Sequence, residues 1–279
     1  MRLGAHISTA GGVSKAFDRA LEVTAECLQI FTRNQRQWQP RAIPEEEVQA
    51  FRRRRSETGL GPIMAHASYL VNLATPDPVL EEKSVAAMLD EVRRADLLGL
   101  EFLVFHPGSN KEGVDIGINL VAKRLDRIIE EAGDASQVTI LLENTAGQGN
   151  TLGLKFAHLR DMMAASSYPH RLGVCIDTCH AFAAGYDYST TEKYGEVVAE
   201  LSATVTVEKV LAFHINDSKK EYASRRDRHA GIGEGFIGLE PLSYWLNDPR
   251  WKNHMATLET PEAESAYKKE LAILRRLMK

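Results

Sequence analysis

Eight short apolar runs alternate along the chain with longer segments of helical period. That alternation restricts the fold to a parallel sheet built from βαβ units. The strand-like runs lie near Leu3 to His6, Cys27 to Phe31, Pro62 to His66, Phe102 to His106, Val138 to Glu143, Leu172 to Asp177, Val210 to Ile215 and Met255 to Glu259. Helical period is expected over Val13 to Val23, Glu45 to Glu57, Asp77 to Leu98, Ile116 to Glu131, Leu154 to Ala165, Tyr194 to Val207, Leu242 to Leu246 and Glu264 to Met278. Gly11 and Gly12 precede the first helix, Pro44 fits the first turn of the second, and Gly99 supplies a stop after the third. An open doubly wound sheet shares this periodicity, but eight rounds in 279 residues match a closed (β/α)₈ TIM barrel. With no Pro- or Ser-rich linker, one domain over residues 1–279 is expected.

A 44% hydrophobic content supports a large core. No apolar run reaches membrane-spanning length and no charged-then-apolar leader follows Met1, so a cytoplasmic protein, without membrane attachment and acting as a monomer, is expected. Cys27, Cys175 and Cys179 are read as buried thiols. The formal net charge of -4 argues against a polyanionic partner only if local patches and bound metal are ignored. Arg33, Arg36 and Arg41, and Lys219, Lys220, Arg225, Arg226 and Arg228, form basic clusters suited to a local anionic partner. Arg52 to Arg55, after Glu45 to Glu47, read as a solvated helix face.

Six successive strands end on ionisable residues: His66, His106, Glu143, Asp177, His214 and Glu259. In a barrel these ends share the face where the loops carry chemistry. His180 follows the sixth strand, and Asp227 and His229 lie i, i+2 in the loop after the seventh. Taken alone, Asp177 reads as a helix cap and His180 as its packed neighbour. Five imidazoles and four carboxylates at one end would bury costly unpaired charge unless they held metal. Mixed imidazole and carboxylate donors suit zinc in open sites, with manganese an alternative at one of them. Nine donors are enough for three ions if a carboxylate bridges. Three divalent ions against four carboxylates leave a cationic hollow fitted to a phosphodiester, and phosphodiester hydrolysis is the chemistry such a cluster serves.

Gly4 to Ser8, Phe31 to Trp38, Leu142 to Gly149, Asp177 to Asp187 and His214 to Lys219 resemble endonuclease IV, and the resemblance extends to Glu259-Thr260-Pro261. It implies a three-zinc (β/α)₈ enzyme that cuts duplex DNA 5′ to an abasic site, leaving a 3′-hydroxyl and a 5′ deoxyribose phosphate, and that also acts on 3′ blocked ends. By the same resemblance, His66, His106 and Glu143 hold one zinc, Glu143, Asp177, His214 and Glu259 a second, and His180, Asp227 and His229 a third. Glu143 is then the bridge, and Glu143, Asp177 and Glu259 are the catalytic carboxylates. Arg36, with Gln35 beside it, and Tyr69-Leu70 match positions that enter the duplex; without the resemblance, Tyr69 and Leu70 read equally as the start of a buried helical turn.

The competing reading is a metal-dependent sugar isomerase on the same barrel; five histidines and the Asp-Arg-His loop weigh against it. A DNA-binding module without catalysis is disfavoured because every ligand is present. His6 is read either as a donor to the cluster or as a core residue, and His158, His170 and His254 as structural. Gly233 to Gly238 fits a dinucleotide fingerprint in spacing but follows a loop, so it reads as a turn with no nucleotide cofactor.

Overall fold

The computed structural model describes residues 1–262 and 264–279, and the backbone alone at Glu264. Its strands are β1 (Arg2–Ile7), β2 (Cys27–Ile30), β3 (Ile63–His66), β4 (Phe102–Phe105), β5 (Thr139–Glu143), β6 (Leu172–Asp177), β7 (Val210–His214), β8 (Asp217–Ser218), β9 (His229–Ala230) and β10 (Met255–Leu258). The helices are α1 (Lys15–Glu22), α2 (Glu45–Thr58), α3 (Pro78–Leu98), α4 (Val114–Ala132), α5 (Phe156–Ala165), α6 (Thr178–Ala184), α7 (Thr191–Thr204), α8 (Leu239–Asn247) and α9 (Glu264–Leu277). Eight of the strands close into a parallel barrel in the order β1-β10-β7-β6-β5-β4-β3-β2. The expected (β/α)₈ TIM barrel is therefore the observed fold.

Two cores divide the apolar residues. The larger lies between strands and helices and takes Leu3, Ala5, Ile7, Leu28 and Ile30 with helix residues such as Phe17, Phe51 and Met88. The smaller takes one residue from each of seven strands: Cys27, Met64, Val104, Leu141, Cys175, Ala212 and Met255. Alternation along a strand sends neighbours to opposite faces, so this second set fills the barrel interior. All three cysteines are buried and unpaired by disulfide, and burial pushes Cys27 and Cys179 up to about 12 and Cys175 up to about 11. The expectation of buried thiols is met. Where β1 meets β2, a Cβ on Gly4 would lie 1.9 Å from the Cys27 carbonyl oxygen, so this approach requires glycine.

Local chemistry accounts for the element ends. Asp77 Oδ1 accepts from the Val79 and Leu80 amides at 2.8 and 3.3 Å, starting α3, and Gly99 ends it at φ 72°. Pro44 sits at the cap of α2, one place before the expected first turn. Helix α7 begins at Thr191, earlier than the expected Tyr194, because Thr190 Oγ1 accepts from the Lys193 amide. Helix α8 extends to both sides of Leu242–Leu246, while α6 and the short β8–β9 hairpin were not anticipated. Among the described residues, no helix is long and apolar enough to cross a membrane.

Candidate metal centre and DNA-facing loops

The interior floor sets the site. Two residues beyond each of its members, on the same side of the strand, stand Gln29, His66, His106, Glu143, Asp177 and His214, with Glu259 four beyond Met255 and His6 two beyond Gly4. All eight barrel strands thus carry a polar side chain to the same end of the barrel. Seven of these were singled out in the sequence; Gln29 was not. Donor atoms of His66, His106 and Glu143 lie within 4.8 Å of one another, as do those of Glu143, Asp177, His214 and Glu259, and those of His180, Asp227 and His229. The nine residues therefore come together in the three expected groups, with Glu143 shared by two.

Each group is oriented from behind. His66 Nδ1 donates to the Ala67 carbonyl at 2.7 Å, His180 Nδ1 to that of Asn144 at 2.9 Å, and His229 Nδ1 to that of Glu259 at 3.0 Å. A proton fixed on one ring nitrogen leaves the other free to face the cluster. Accordingly His66 Nε2 is 3.3 Å from Glu143 Oε2, His106 Nε2 is 3.2 Å from the same oxygen, and His180 Nε2 is 3.1 Å from Asp227 Oδ2. These approaches are close, yet Glu143 Oε2, His180 Nε2 and His229 Nε2 are buried without a hydrogen bond inside the protein. Buried polar atoms without partners are costly. Mixed nitrogen and oxygen donors aimed at common points, without hydrogen-bond alignment between them, fit a divalent metal.

Asp177 reconciles its two readings. Its Oδ1 accepts from the His180 amide at 2.8 Å, capping α6, while Oδ2 accepts from Asn216 Nδ2 at 2.7 Å and lies 3.6 Å from His229 Nε2. Cap and cluster use different oxygens. Cys179 also lies within reach of Asp177 and His229, but its thiol, pushed up to about 12 by burial, resists becoming a thiolate.

Charge in the metal-free cluster is self-compensating. Burial works against the ionised form of Glu143, but His214 and His106 outweigh it and hold that carboxyl well below the usual range. At Glu259 the same opposition is overcome, His214 contributing most. Conversely, despite burial, Asp177 and Asp227 hold His180 well above its ordinary value, and His214 is raised likewise by Cys175, Glu259 and Glu143. His6 differs: burial prevails over Glu259 and lowers it. It contacts the cluster through Glu259 Oε1, 3.4 Å from its Nδ1. His158, His170 and His254 stand apart, with His254 bound to the Val210 carbonyl.

Two clefts border the donors. One of about 680 Å³ is lined by His6, Phe31, Tyr69 and Glu259, and one of about 240 Å³ by His106, His180 and Asp227. Tyr69 is 62% exposed, with its ring centroid 5.3 Å from that of His66 and 6.0 Å from that of His106. A buried helical turn at Tyr69 is therefore excluded. Leu70 is half-buried beside it, and Arg36 is exposed with Gln35 half-buried on the loop after β2.

Arg33 requires a correction: it does not belong to the basic surface. Its side chain is buried against Asp90 at 3.2 Å and Glu91 at 3.7 Å. Arg52 to Arg55 occupy a helix face as expected, Arg54 pairing with Glu57 and Asp18. Lys219, Arg225, Arg226 and Arg228 are exposed around the loop that carries Asp227.

Glu91 was also missed. Its Oε2 accepts from Thr32 Oγ1 at 2.6 Å and its Oε1 from the Ser68 amide at 3.3 Å. It thereby ties together the loops that carry Arg36 and Tyr69. Burial pushes the Glu91 carboxyl up to about 7, against the pull of Thr32 and Arg33. A raised carboxyl favours folding in its neutral form, and that contribution is lost as pH rises from about 4.5 through 7. Chemical unfolding across this window should show Glu91→Gln gaining stability relative to wild type as pH rises; a pH-independent difference would place Glu91 outside this linkage.

Fold and donor array together define a (β/α)₈ enzyme with a candidate metal centre at the carboxyl ends of its strands. Residues 17–277 match the family described as xylose isomerase-like TIM barrel. A probable endonuclease 4 of Chloroflexus aurantiacus is 45% identical over 280 residues, covering 99% of this chain and 98% of its own. A probable endonuclease 4 of Halorhodospira halophila is 43% identical, covering 98% of this chain and 92% of its own. The crystal structure of endonuclease IV from Thermus thermophilus superposes with a TM-score of 0.89 at 39% identity, over 99% of this chain and 98% of that one. A D-tagatose 3-epimerase-like protein shares the fold alone, at 19% identity and TM-score 0.74. The chain belongs to the endonuclease IV family. It is a nuclease.

Proposed function

We propose that the chain repairs DNA by hydrolysing the phosphodiester 5′ to an abasic site in a duplex, leaving a 3′-hydroxyl and a 5′ deoxyribose phosphate, with three zinc ions held in the cluster. The observation that carries this reading is the grouping of nine donor residues into three sets, two of which share Glu143. His66, His106 and Glu143 would hold one ion, Glu143, Asp177, His214 and Glu259 the second, and His180, Asp227 and His229 the third, with manganese an alternative at one position. Divalent ions there supply Lewis acidity toward the phosphoryl group and make a hydroxide nucleophile accessible near neutral pH.

The protein's own groups do the remaining work. Glu259, kept ionised chiefly by His214 against the cost of burial, is a proton acceptor next to the larger cleft. Exposed Lys219, Arg225, Arg226 and Arg228 hold backbone phosphates over the third donor set. Tyr69 and Leu70, with Arg36 and Gln35 on the neighbouring loop, fill the space of the displaced nucleotide; an abasic residue has little stacking to lose, so its extrusion costs least. The same centre would trim 3′ blocking groups, whose phosphodiester presents the same chemistry. These roles suit a monomer working in the cytoplasm on nucleoid DNA.

A duplex with a single abasic site, incubated with and without chelator, tests the reading. Chelator-sensitive nicking 5′ to the lesion with a 3′-hydroxyl product is expected; a 3′ unsaturated aldehyde would identify a lyase instead. Tyr69→Ala is expected to lower the preference for abasic over intact duplex by about 10- to 100-fold, the loss of a wedge worth a few kcal/mol, with metal content unchanged. Unchanged selectivity in a competition assay would remove Tyr69 from recognition.

A further inference from the structure

We infer that Gln29 is a positioning residue that selects which nitrogen of His214 faces the cluster and holds Glu259 beside it, and so governs how firmly the ion bound there is retained. The inference rests on the metal reading proposed above and extends it to a residue outside all three donor sets. Gln29 is fully buried in β2, one of the two among these eight strand-end polar residues that belong to none of the three donor sets. The other is His6, and the two touch.

Every hydrogen-bonding group of the Gln29 amide is used. Its Nε2 lies 2.5 Å from Glu259 Oε1 and 2.7 Å from His6 Nδ1, and its Oε1 lies 2.7 Å from His214 Nε2. An ionised carboxylate only accepts, so the NH₂ end must face Glu259, and the reverse orientation would oppose two oxygens at 2.5 Å. That leaves the amide oxygen for His214 and requires a proton on His214 Nε2. The nitrogen left to face the donors is Nδ1, 3.0 Å from Glu143 Oε1, 3.3 Å from Glu259 Oε2 and 3.8 Å from Asp177 Oδ2. A proton preference set at Glu259 is thus passed through one amide to His214.

His214 is the exception among its neighbours. His66, His180 and His229 are held by backbone carbonyls and present Nε2, an arrangement no side-chain substitution removes. His214 presents Nδ1 and depends on a side chain. Outer hydrogen bonds to a ligating imidazole are typically worth about 10- to 100-fold in metal affinity.

The test uses the full chain reconstituted with zinc and compares wild type, Gln29→Met and Gln29→Glu. Gln29→Met matches the length without the hydrogen bonds. It is expected to release one zinc equivalent to a chromophoric chelator about 10- to 100-fold faster, the other two leaving at wild-type rates. Long-range ¹H–¹⁵N spectra of the metal-free proteins at alkaline pH should show the Nε2–H tautomer of His214 in wild type and a mixture in Gln29→Met. Gln29→Glu keeps an acceptor for His214 while setting a carboxylate against Glu259, so it should retain the tautomer yet still release zinc faster. Wild-type release and an unchanged tautomer in Gln29→Met would overturn the inference; if that variant does not fold, wild-type release from Gln29→Glu would do so. Wild-type protein that takes up no zinc refutes the metal reading instead, and the tautomer comparison then decides the role of Gln29.

Discussion

Replacing Glu143 by Gln is expected to slow incision of an abasic duplex by on the order of 10³-fold or more while the barrel stays folded. Glu143 is the residue common to two donor sets. Its Oε1 is 3.0 Å from His214 Nδ1 and 3.1 Å from His180 Nδ1, and its Oε2 faces His66 and His106. The amide keeps the shape but loses the charge, and turns N–H donors toward imidazole nitrogens. Metal contributes several kcal/mol to such reactions, and about 4 kcal/mol corresponds to roughly 10³ in rate. Single-turnover incision, metal analysis and circular dichroism on the same preparation separate loss of metal from loss of fold. A variant with the full metal complement and wild-type rate would remove Glu143 from its bridging role.

The second large effect concerns pH. In the metal-free protein, facing carboxylates raise His180, His214 and His66 against the cost of burial. Stability from these imidazolium–carboxylate pairs is fully present below the unfolded histidine value of about 6.5 and is lost as pH climbs through the raised folded values. Glu143 and Glu259 are depressed well below their usual range; their contribution is present above about 4.3 and lost as pH falls through the folded values. Metal must displace the imidazole protons, so its binding tightens as pH rises. The Tm gap between metal-loaded and metal-stripped protein should therefore be small near pH 5 and widen through pH 8. Free ion at 100 times Kd adds about 2.7 kcal/mol, roughly 5–10 °C for a chain of this size. Calorimetry across this range measures the gap, and one that stays constant or narrows would contradict the linkage.

Strand ends carried most of this in the sequence. His66, His106, Glu143, Asp177, His214 and Glu259 each close an apolar run, and a barrel brings such ends together, so position and chemistry were readable at once. Gln29 escaped because an amide is not among the usual zinc donors, although its place two residues after Cys27 repeats the spacing from Met64 to His66. Arg33 and Glu91 escaped because opposite charges in a loop and a helix read as two solvated side chains until the fold buries them together. Helix α6 has seven residues and starts directly after its strand, whose last residue, Asp177, is its cap, leaving neither the length nor the loop that periodicity needs. The β8–β9 hairpin has two residues per strand, yet it draws His229 back to the cluster, a long-range pairing with no local signal.

The ring of polar residues spans the first strand to the last, Arg2 pairing with Met255 where it closes. A ribosome that has not yet delivered residues 255–259 has made a chain with Glu143 but neither Glu259 nor the strand that completes the circle. Such a nascent chain lacks both the strand that closes the sheet against β1 and one donor of the second group, so closure of the barrel and completion of the donor ring are one and the same late event.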